Sequence, residues 1–388
     1  MNLDDPFALP VASPFYGEEH RQFQAAVRRF VAREIIPFVN DWDEEGRIPR
    51  ALYGKAAEAG LLGLGFPEAF GGTPADSFFS LILNQEMARA GAGGLVASLF
   101  SHGIALPPIL AAGSDELKAR ILPSVLAGRR IAALAVTEPD AGSDVAAIRT
   151  RAVRDGDHYV ITGTKTTITS GMRADVLTVA VRTGGPGHAG ISLIVVETPV
   201  AGLERHELPK MGWWCSDTAT LHFDGVRVPA TNLIGAENDG FRPLMINFNR
   251  ERLGLAALAI GFAKRALADA LAHARGRVTF GRPLSRRQVI RHKLVDMAQQ
   301  IRCVESFAET LAWRLDQGEE PVADICLLKN AAAAMLDDVA RTAVQILGGA
   351  GFIRGHAIER IYREAPIYGI GGGASEILAD LAARQMGI

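Results

Sequence analysis

Hydrophobic periodicity changes twice along this chain, and the two changes divide it into three stretches with different folding options. From Gly17 to Arg130 the apolar residues recur at helical spacing. Phe23, Val27, Phe30, Val31 and Ile35 fall on one face, and Pro37 closes the segment. Segments 50–59, 78–90 and 115–126 read as further helices between turns containing glycine or proline. Near Ile131 the pattern switches to short runs rich in Val, Ile and Thr at 131–136, 159–164, 176–182, 191–197 and 219–228. Turn clusters such as Asp155-Gly156-Asp157 and Gly184-Gly185-Pro186-Gly187 bound them, which predicts an antiparallel β unit. A βαβ unit fits less well, because no helix-length segment separates the strands. Beyond Gly240 the helical spacing returns over 241–275, 287–317, 321–347 and 374–385, lengths that suit an antiparallel bundle. The expected fold is therefore α+β, with an N-terminal all-α domain over 1–130, a middle antiparallel β domain over 131–236 and a C-terminal four-helix-bundle-like α domain over 237–388.

A chain of 388 residues with 48% hydrophobic and 22% charged residues can bury a substantial core. Its formal net charge of -2, with both signs dispersed, argues against nucleic-acid binding, which calls for a basic face. Cys215, Cys303 and Cys326 are far apart, so a reduced compartment without disulfides is expected. Neither these cysteines nor the nine histidines fall in a metal-ligand pattern, and no metal is expected. The opening Met-Asn-Leu-Asp-Asp-Pro has neither signal-peptide nor transit-peptide character, and the apolar run 253–263 is too short to span a bilayer. Together these features predict a cytoplasmic protein with no membrane span.

The most informative segment is Val136-Thr137-Glu138-Pro139-Asp140-Ala141-Gly142-Ser143-Asp144. It follows a strand and turns sharply, exposing backbone N–H groups and the hydroxyls of Thr137 and Ser143. Such a loop suits a phosphate or the polar edge of a heterocycle. An Asx- or Ser-stabilised turn accounts for the same residues without a ligand. Gly348-Gly349-Ala350-Gly351 looks like a dinucleotide fingerprint, yet it follows a helix, so a Rossmann reading fails on context. A helix C-cap at positive φ explains part of that run.

The 136–144 segment matches the first signature of the acyl-CoA dehydrogenases, Thr-Glu-Pro-x-Ala-Gly-Ser-Asp. A second signature of that family resembles 345–352, Gln-Ile-Leu-Gly-Gly-Ala-Gly-Phe, followed by Arg360 and Glu364. The likeness extends to 67–72, 210–212, 216–218 and 277–281, and it runs in the family's order from about Glu18 to Ile388. It implies an FAD enzyme acting on an acyl-CoA thioester, assembled as a homotetramer or homodimer, with electrons passed to an electron-transfer flavoprotein in fatty acid metabolism. Carried over by motif, Thr137 faces the isoalloxazine, Ser143 meets the pyrophosphate or the acyl-CoA, and Thr169 approaches flavin N5. Glu376 matches a flavin-contacting or capping position. Another subunit would bring Arg277 to the pyrophosphate and Gln345 and Gly349 to the adenosine end, and Phe280 and Gln288 are implied as further cofactor-binding residues. Read without its Thr-Phe-Gly context, Arg277 is better taken as a solvated cation at a helix end.

The reaction so implied takes a proton from Cα and a hydride from Cβ, so one carboxylate must reach the Cα proton. Many family members place that glutamate near the C-terminus, where this chain reads Ile370-Gly371-Gly372-Gly373-Ala374 and Gly372 falls on the usual base. The backbone N–H of Gly372 can still polarise the thioester carbonyl. The isovaleryl-CoA and long-chain branches carry the glutamate in a Glu-Arg-Leu motif, and this chain has Arg250-Glu251-Arg252-Leu253 there. Glu251 is the expected base and Arg252 a substrate-side residue. A surface glutamate paired to flanking arginines is the bland alternative. Thr167 stands where many relatives carry a bulky aromatic, and Gly355 replaces an acidic or amide residue. The alternatives kept open are a substrate on an acyl-carrier protein, oxygen as acceptor, and a non-catalytic flavin- or thioester-binding protein.

Overall fold

The computed structural model describes residues 2–388. Eight helices open the chain: α1 (Glu18–Glu34), α2 (Val39–Glu45), α3 (Ala51–Glu58), α4 (Ser77–Met87), α5 (Gly93–Leu99), α6 (His102–Ala105), α7 (Pro107–Ala112) and α8 (Asp115–Leu126). The starts of α4 and α8 are set by side-chain caps. Asp76 accepts from the N–H groups of Phe78 and Phe79, and Ser114 accepts from that of Leu117. These bonds satisfy donors that a helix leaves orphaned at its first turn.

Eight strands follow: β1 (Ala132–Ala135), β2 (Arg151–Asp155), β3 (His158–Thr169), β4 (Val176–Arg182), β5 (Ile191–Glu197), β6 (Leu203–Glu207), β7 (Thr218–Pro229) and β8 (Leu233–Ile234). They form one sheet in the order β6-β7-β3-β2-β4-β5-β8, with β1 paired to β4. The expectation of an antiparallel sheet needs one correction. β1 runs parallel to β4, with Ala132 opposite Val176, and Arg151 of β2 pairs in parallel with Arg182. Strand β1 enters from α8 without a hairpin, so nothing obliges it to run antiparallel to its neighbour. Both faces of the sheet centre are covered. Val176, Ala180, Leu193 and Val195 pack toward α7 and α8, while Leu177, Val179, Ile194 and Val196 pack among Tyr159, Leu221 and Phe223. That double burial explains why β4 and β5 read as continuous apolar runs.

The C-terminal region is α9 (Phe241–Gly276), α10 (Gln288–Asp316), α11 (Val322–Leu347), α12 (Ala357–Glu364) and α13 (Ser375–Met386). A single core joins these helices to the N-terminal ones, running from Val27, Phe30 and Leu81 through Ala256–Ala274 to Leu328 and Leu336. The middle of α9 is rich in alanine, and at Gly261 an added Cβ would stand 2.6 Å from Ala88 Cβ. Small residues there let α9 pass close to α4. With 36 residues, α9 is about 54 Å long at 1.5 Å per residue. Among the described residues no single helix is long and apolar enough to cross a membrane.

Candidate active site

A cavity of about 620 Å³ opens where α4, α5, the start of α9 and the end of β3 converge. Its walls include Leu83, Val96, Leu255 and Leu258, with Thr169, Trp213 and Glu251 among them. Largely apolar walls with a few placed polar groups are the usual composition of a small-molecule site. A second depression of about 430 Å³ lies between α10 and α11, lined by Lys293, Asp296, Asp338 and Arg341. Its polar, ion-paired lining suits neither an acyl chain nor an aromatic ring.

Glu251 lies ten residues after the first residue of α9 and is half-buried against the cavity. No hydrogen-bond or ion-pair partner reaches its carboxylate among the described residues. Burial pushes its carboxyl up to about 7, and the positive charges of Arg252 and Lys329 oppose that rise. Loss of hydration penalises the charged form, which is how a carboxyl becomes a base poised near neutral pH.

The glycine run 371–373 faces the same part of α9 and is held by two cations. Arg252 Nε donates to Gly372 O at 3.1 Å, and Lys329 Nζ, buried on α11, donates to Gly373 O at 2.7 Å. Arg252 also donates to Asn249 Oδ1 at 3.0 Å, so its guanidinium is committed to protein acceptors. Burial, together with the nearby Arg252 charge, pushes the Lys329 ammonium down to about 8. Gly372 and Gly373 have φ of +68° and +110°, conformations that side chains rarely adopt. A Cβ on Gly372 would lie 2.6 Å from Leu255 Cδ1. Leu255 therefore fills the space that a side chain at 372 would need.

The 136–144 loop is anchored by a buried ion pair that the sequence did not announce. Lys165, on β3, is fully buried and donates to Val136 O at 2.7 Å and to Glu138 Oε1 at 2.8 Å. Glu138 also accepts from the N–H groups of Arg149 at 2.6 Å and Thr150 at 2.9 Å. Burial pushes the Lys165 ammonium down to about 8, against the pull of Glu138. The pair clamps the loop to the strand beneath it. Thr137 is half-buried and Ser143 exposed. Between Lys165 and Ile168 the pairing of β3 with β7 is irregular, and Thr167 takes φ +56°. Left-handed backbone at a β-branched residue is uncommon and gathers at functional loops. Thr167 is exposed and turns its hydroxyl onto Thr166 O at 2.7 Å, while Thr166 pairs with Thr220 at 3.0 Å. Thr137 and Thr169 spend their hydroxyls on no partner among the described residues. Thr169 lines the cavity, and unspent neutral hydroxyls of this kind fit the carbonyl and ring-nitrogen edge of a flavin.

The structure thus places Thr169 and Glu251 on one cavity, ties Arg252 to Gly372, and sets Thr137 beside the end of β3 through the Thr166 N–H to Thr137 O bond at 2.9 Å. It does not bring Arg277, Phe280, Gln288, Gln345, Gly349 or Glu376 into the cavity of the same chain. All six are exposed. Arg277 lies beyond the end of α9, about 39 Å from Glu251 by helical rise. Phe280 is 96% exposed and stacks only under the Arg287 guanidinium. Gly348 ends α11 at φ +60° and Gly355 has φ +91°, which gives a backbone reason for glycine at both. Sequence reading missed Lys165, Lys329, Leu255, Trp213 and the partner role of Glu138. A lysine seven residues after the start of a strand carries no visible sign of burial, and only Glu138 lay within a motif already singled out.

The comparisons with known proteins agree with one another. Three family models match: acyl-CoA dehydrogenase, N-terminal domain over 17–129, middle domain over 133–226 and C-terminal domain over 238–387. A solved structure of a probable acyl CoA dehydrogenase from Mycobacterium abscessus is 50% identical, with a TM-score of 0.94, covering 96% of this chain and 100% of that one. Acyl-CoA dehydrogenase apdG of Emericella nidulans is 35% identical, covering 99% of this chain and 94% of the relative. The mitochondrial long-chain specific acyl-CoA dehydrogenase of Sus scrofa is 34% identical over 96% of this chain and 87% of its own length.

Proposed function

This chain belongs to the acyl-CoA dehydrogenase family, whose members are FAD-dependent oxidoreductases, and we propose that it desaturates the α–β bond of an acyl-CoA thioester with Glu251 as the base. The observation that carries this assignment is a carboxylate without a partner, lodged in a largely apolar cavity and raised to about 7. Glu251 takes the Cα proton. FAD, when bound, accepts the hydride from Cβ, which leaves the protein to manage the proton and the thioester. Gly372 offers its backbone N–H to the thioester carbonyl, and Arg252 fixes that glycine through its carbonyl. A hydrogen bond aimed at the oxygen where enolate charge develops lowers the barrier to proton loss. Thr137, Ser143 and Thr169 serve the flavin from the same chain. Glu376, at the first turn of α13, stands on the flavin side of the glycine run.

Arg277, Phe280, Gln288, Gln345 and Gly349 act on the cofactor of a second subunit in this proposal. Their exposure and the length of α9 support it, since one chain cannot bring Arg277 back to Glu251. A homotetramer or homodimer is the assembly proposed, and an electron-transfer flavoprotein the acceptor. A second reading, oxygen as acceptor, rests on exposed Thr167 standing where many relatives carry an aromatic. Stoichiometric peroxide on aerobic turnover would decide for it.

The test is anaerobic mixing of the flavin-loaded protein with a panel of acyl-CoAs while the flavin absorbance is followed. Wild type bleaches with at least one chain length. Glu251→Gln is expected to slow bleaching by about 10²–10⁴-fold, the usual contribution of a positioned base. Equal rates in the two proteins would remove Glu251 from the mechanism.

A further inference from the structure

Trp213 sits in the loop between β6 and β7, and its backbone takes φ +57°, a left-handed conformation that a bulky residue rarely adopts. Its side chain lines the same cavity as Glu251, facing a space shared with Val96 of α5 and Leu258 of α9. Strain of this kind persists only where surrounding contacts enforce it. Here they are identifiable. The Trp213 N–H donates to Glu364 Oε1 at 2.8 Å, while Oε2 of the same carboxylate accepts from the Gly93 N–H at 2.7 Å. Glu364 is 3% exposed, and it holds the first turn of α5 and the Trp213 loop in one grip. The indole then passes where no Cβ could stand. A Cβ on Gly93 would lie 2.3 Å from Trp213 Nε1, and one on Gly94 would lie 2.8 Å from the Trp213 backbone. Tyr368 closes another side, its ring edge-on to the indole at 6.3 Å between centroids and 80°.

Two successive glycines at the start of a helix would ordinarily loosen it. The structure gives them the opposite meaning, because Gly93 admits the indole and Gly94 the Trp213 backbone, and neither leaves the tryptophan room to retreat. A cavity wall that can yield adapts to its ligand, whereas one braced from behind sets a fixed width.

We propose that Trp213 is the specificity-determining wall of the acyl cavity, admitting slender unbranched acyl chains and excluding branched or ring-bearing ones, and that Glu364 is the residue that positions it. This rests on the acyl thioester reading above. It does not depend on which carboxylate is the base.

The experiment compares octanoyl-CoA with 3-phenylpropionyl-CoA and isovaleryl-CoA, measuring kcat/KM for each in wild type, Trp213→Ala, Trp213→Phe and Glu364→Gln. A methylene in an apolar pocket changes kcat/KM by about 10–200-fold, so Trp213→Ala should raise the bulky-to-slender ratio by about tenfold or more, with Trp213→Phe between it and wild type. Glu364→Gln replaces one accepting oxygen with a donating NH₂, so one of the two N–H groups loses its partner. The ratio should move the same way by a smaller factor, a change that a general loss of stability would not produce. Should Trp213→Ala fail to retain flavin, Trp213→Phe and Trp213→Leu read the same ratio. A ratio unchanged in the folded variants overturns the inference. Wild type that none of the three thioesters reduces would instead strike the acyl thioester reading itself.

Discussion

Flavin reduction should titrate with Glu251, and the position of that titration follows from the charges around it. Burial lifts the carboxyl from the ordinary 4.5 to about 7, and the two cations facing it, Arg252 on its own helix and Lys329 on α11, limit the rise. Only the ionised form abstracts a proton. The bleaching rate should therefore fall about tenfold per pH unit below 7, to roughly a tenth of its plateau at pH 6. Lys329→Met removes one opposing charge and the donor to Gly373 O, so the midpoint moves up and the rate at pH 7 drops by more than the plateau at pH 9. Lys329→Arg restores the charge and should restore the midpoint. Lys329 itself faces Arg252, Glu251, Cys326 and Glu376 and loses its proton near 8, above the range where Glu251 responds. Stability carries the opposite sign. Between pH 4.5 and 7 the folded chain keeps a proton that the unfolded chain releases, so stability declines as pH rises through that window and stays lower above it. The full penalty corresponds to about 3 kcal/mol, trimmed toward ~2 kcal/mol by water in the open cavity. Glu251→Gln should therefore bleach far more slowly than wild type yet be more stable at pH 8 and equal to it near pH 4. Single-turnover stopped-flow from pH 5 to 9 and urea melts at both pH values measure these effects. A rate midpoint near 4.5, or one unmoved by Lys329→Met, would refute the electrostatic account.

Two further substitutions probe the scaffold. Gly372→Glu meets Leu255 Cδ1 at 2.6 Å and a φ of +68°, so it should cost about 2 kcal/mol or more in a denaturant melt. For the same reason it should not restore bleaching to Glu251→Gln, and restored bleaching would show that Leu255 yields. Lys165→Met leaves the Glu138 carboxylate, 6% exposed, without its cation, a change that costs about 3–5 kcal/mol. Flavin should then be lost on gel filtration, whereas Lys165→Met with Glu138→Gln should regain part of the stability and less of the flavin.

Where one periodicity ruled, the sequence was easy to read. α1 shows a single apolar stripe with Val27, Phe30 and Val31 buried on it, and β4 and β5 are mostly apolar and buried up to their last residue because both faces are covered. Strands β2 and β6 escaped notice for the converse reason: Arg-Ala-Val-Arg-Asp buries one residue and Leu-Glu-Arg-His-Glu none. Helix α5 was hidden by its glycines and by burial on nearly every side, which erases a stripe, and α6 and α7 by their shortness and by Gly103, Pro107 and Pro108. Within the site, Glu251 was legible only through a motif, since a Glu between two arginines looks like any solvated helix face. What raises its carboxyl lies on distant segments that no local pattern connects. Trp213 was invisible for the same reason, being fixed by Glu364, 151 residues away.

The proposed base on α9, Glu251, has a structural counterpart at Leu255. Glu251 and Leu255 are one helical turn apart, so they project from the same face toward the same cavity. One of them carries the carboxylate, and the other occupies the volume beside Gly372 where a loop-borne carboxylate would have to stand. The glycine run is thereby freed from carrying a side chain, and its two left-handed residues can be pressed against α9 by Arg252 and Lys329 acting on successive carbonyls. Both cations also bear on Glu251, so the contacts that fix the polarising N–H are the ones that hold the base partly ionised at neutral pH. On this reading base strength and loop position are not independent. Any substitution that releases the loop from Lys329 should raise the carboxyl's proton affinity and weaken the grip on the thioester together.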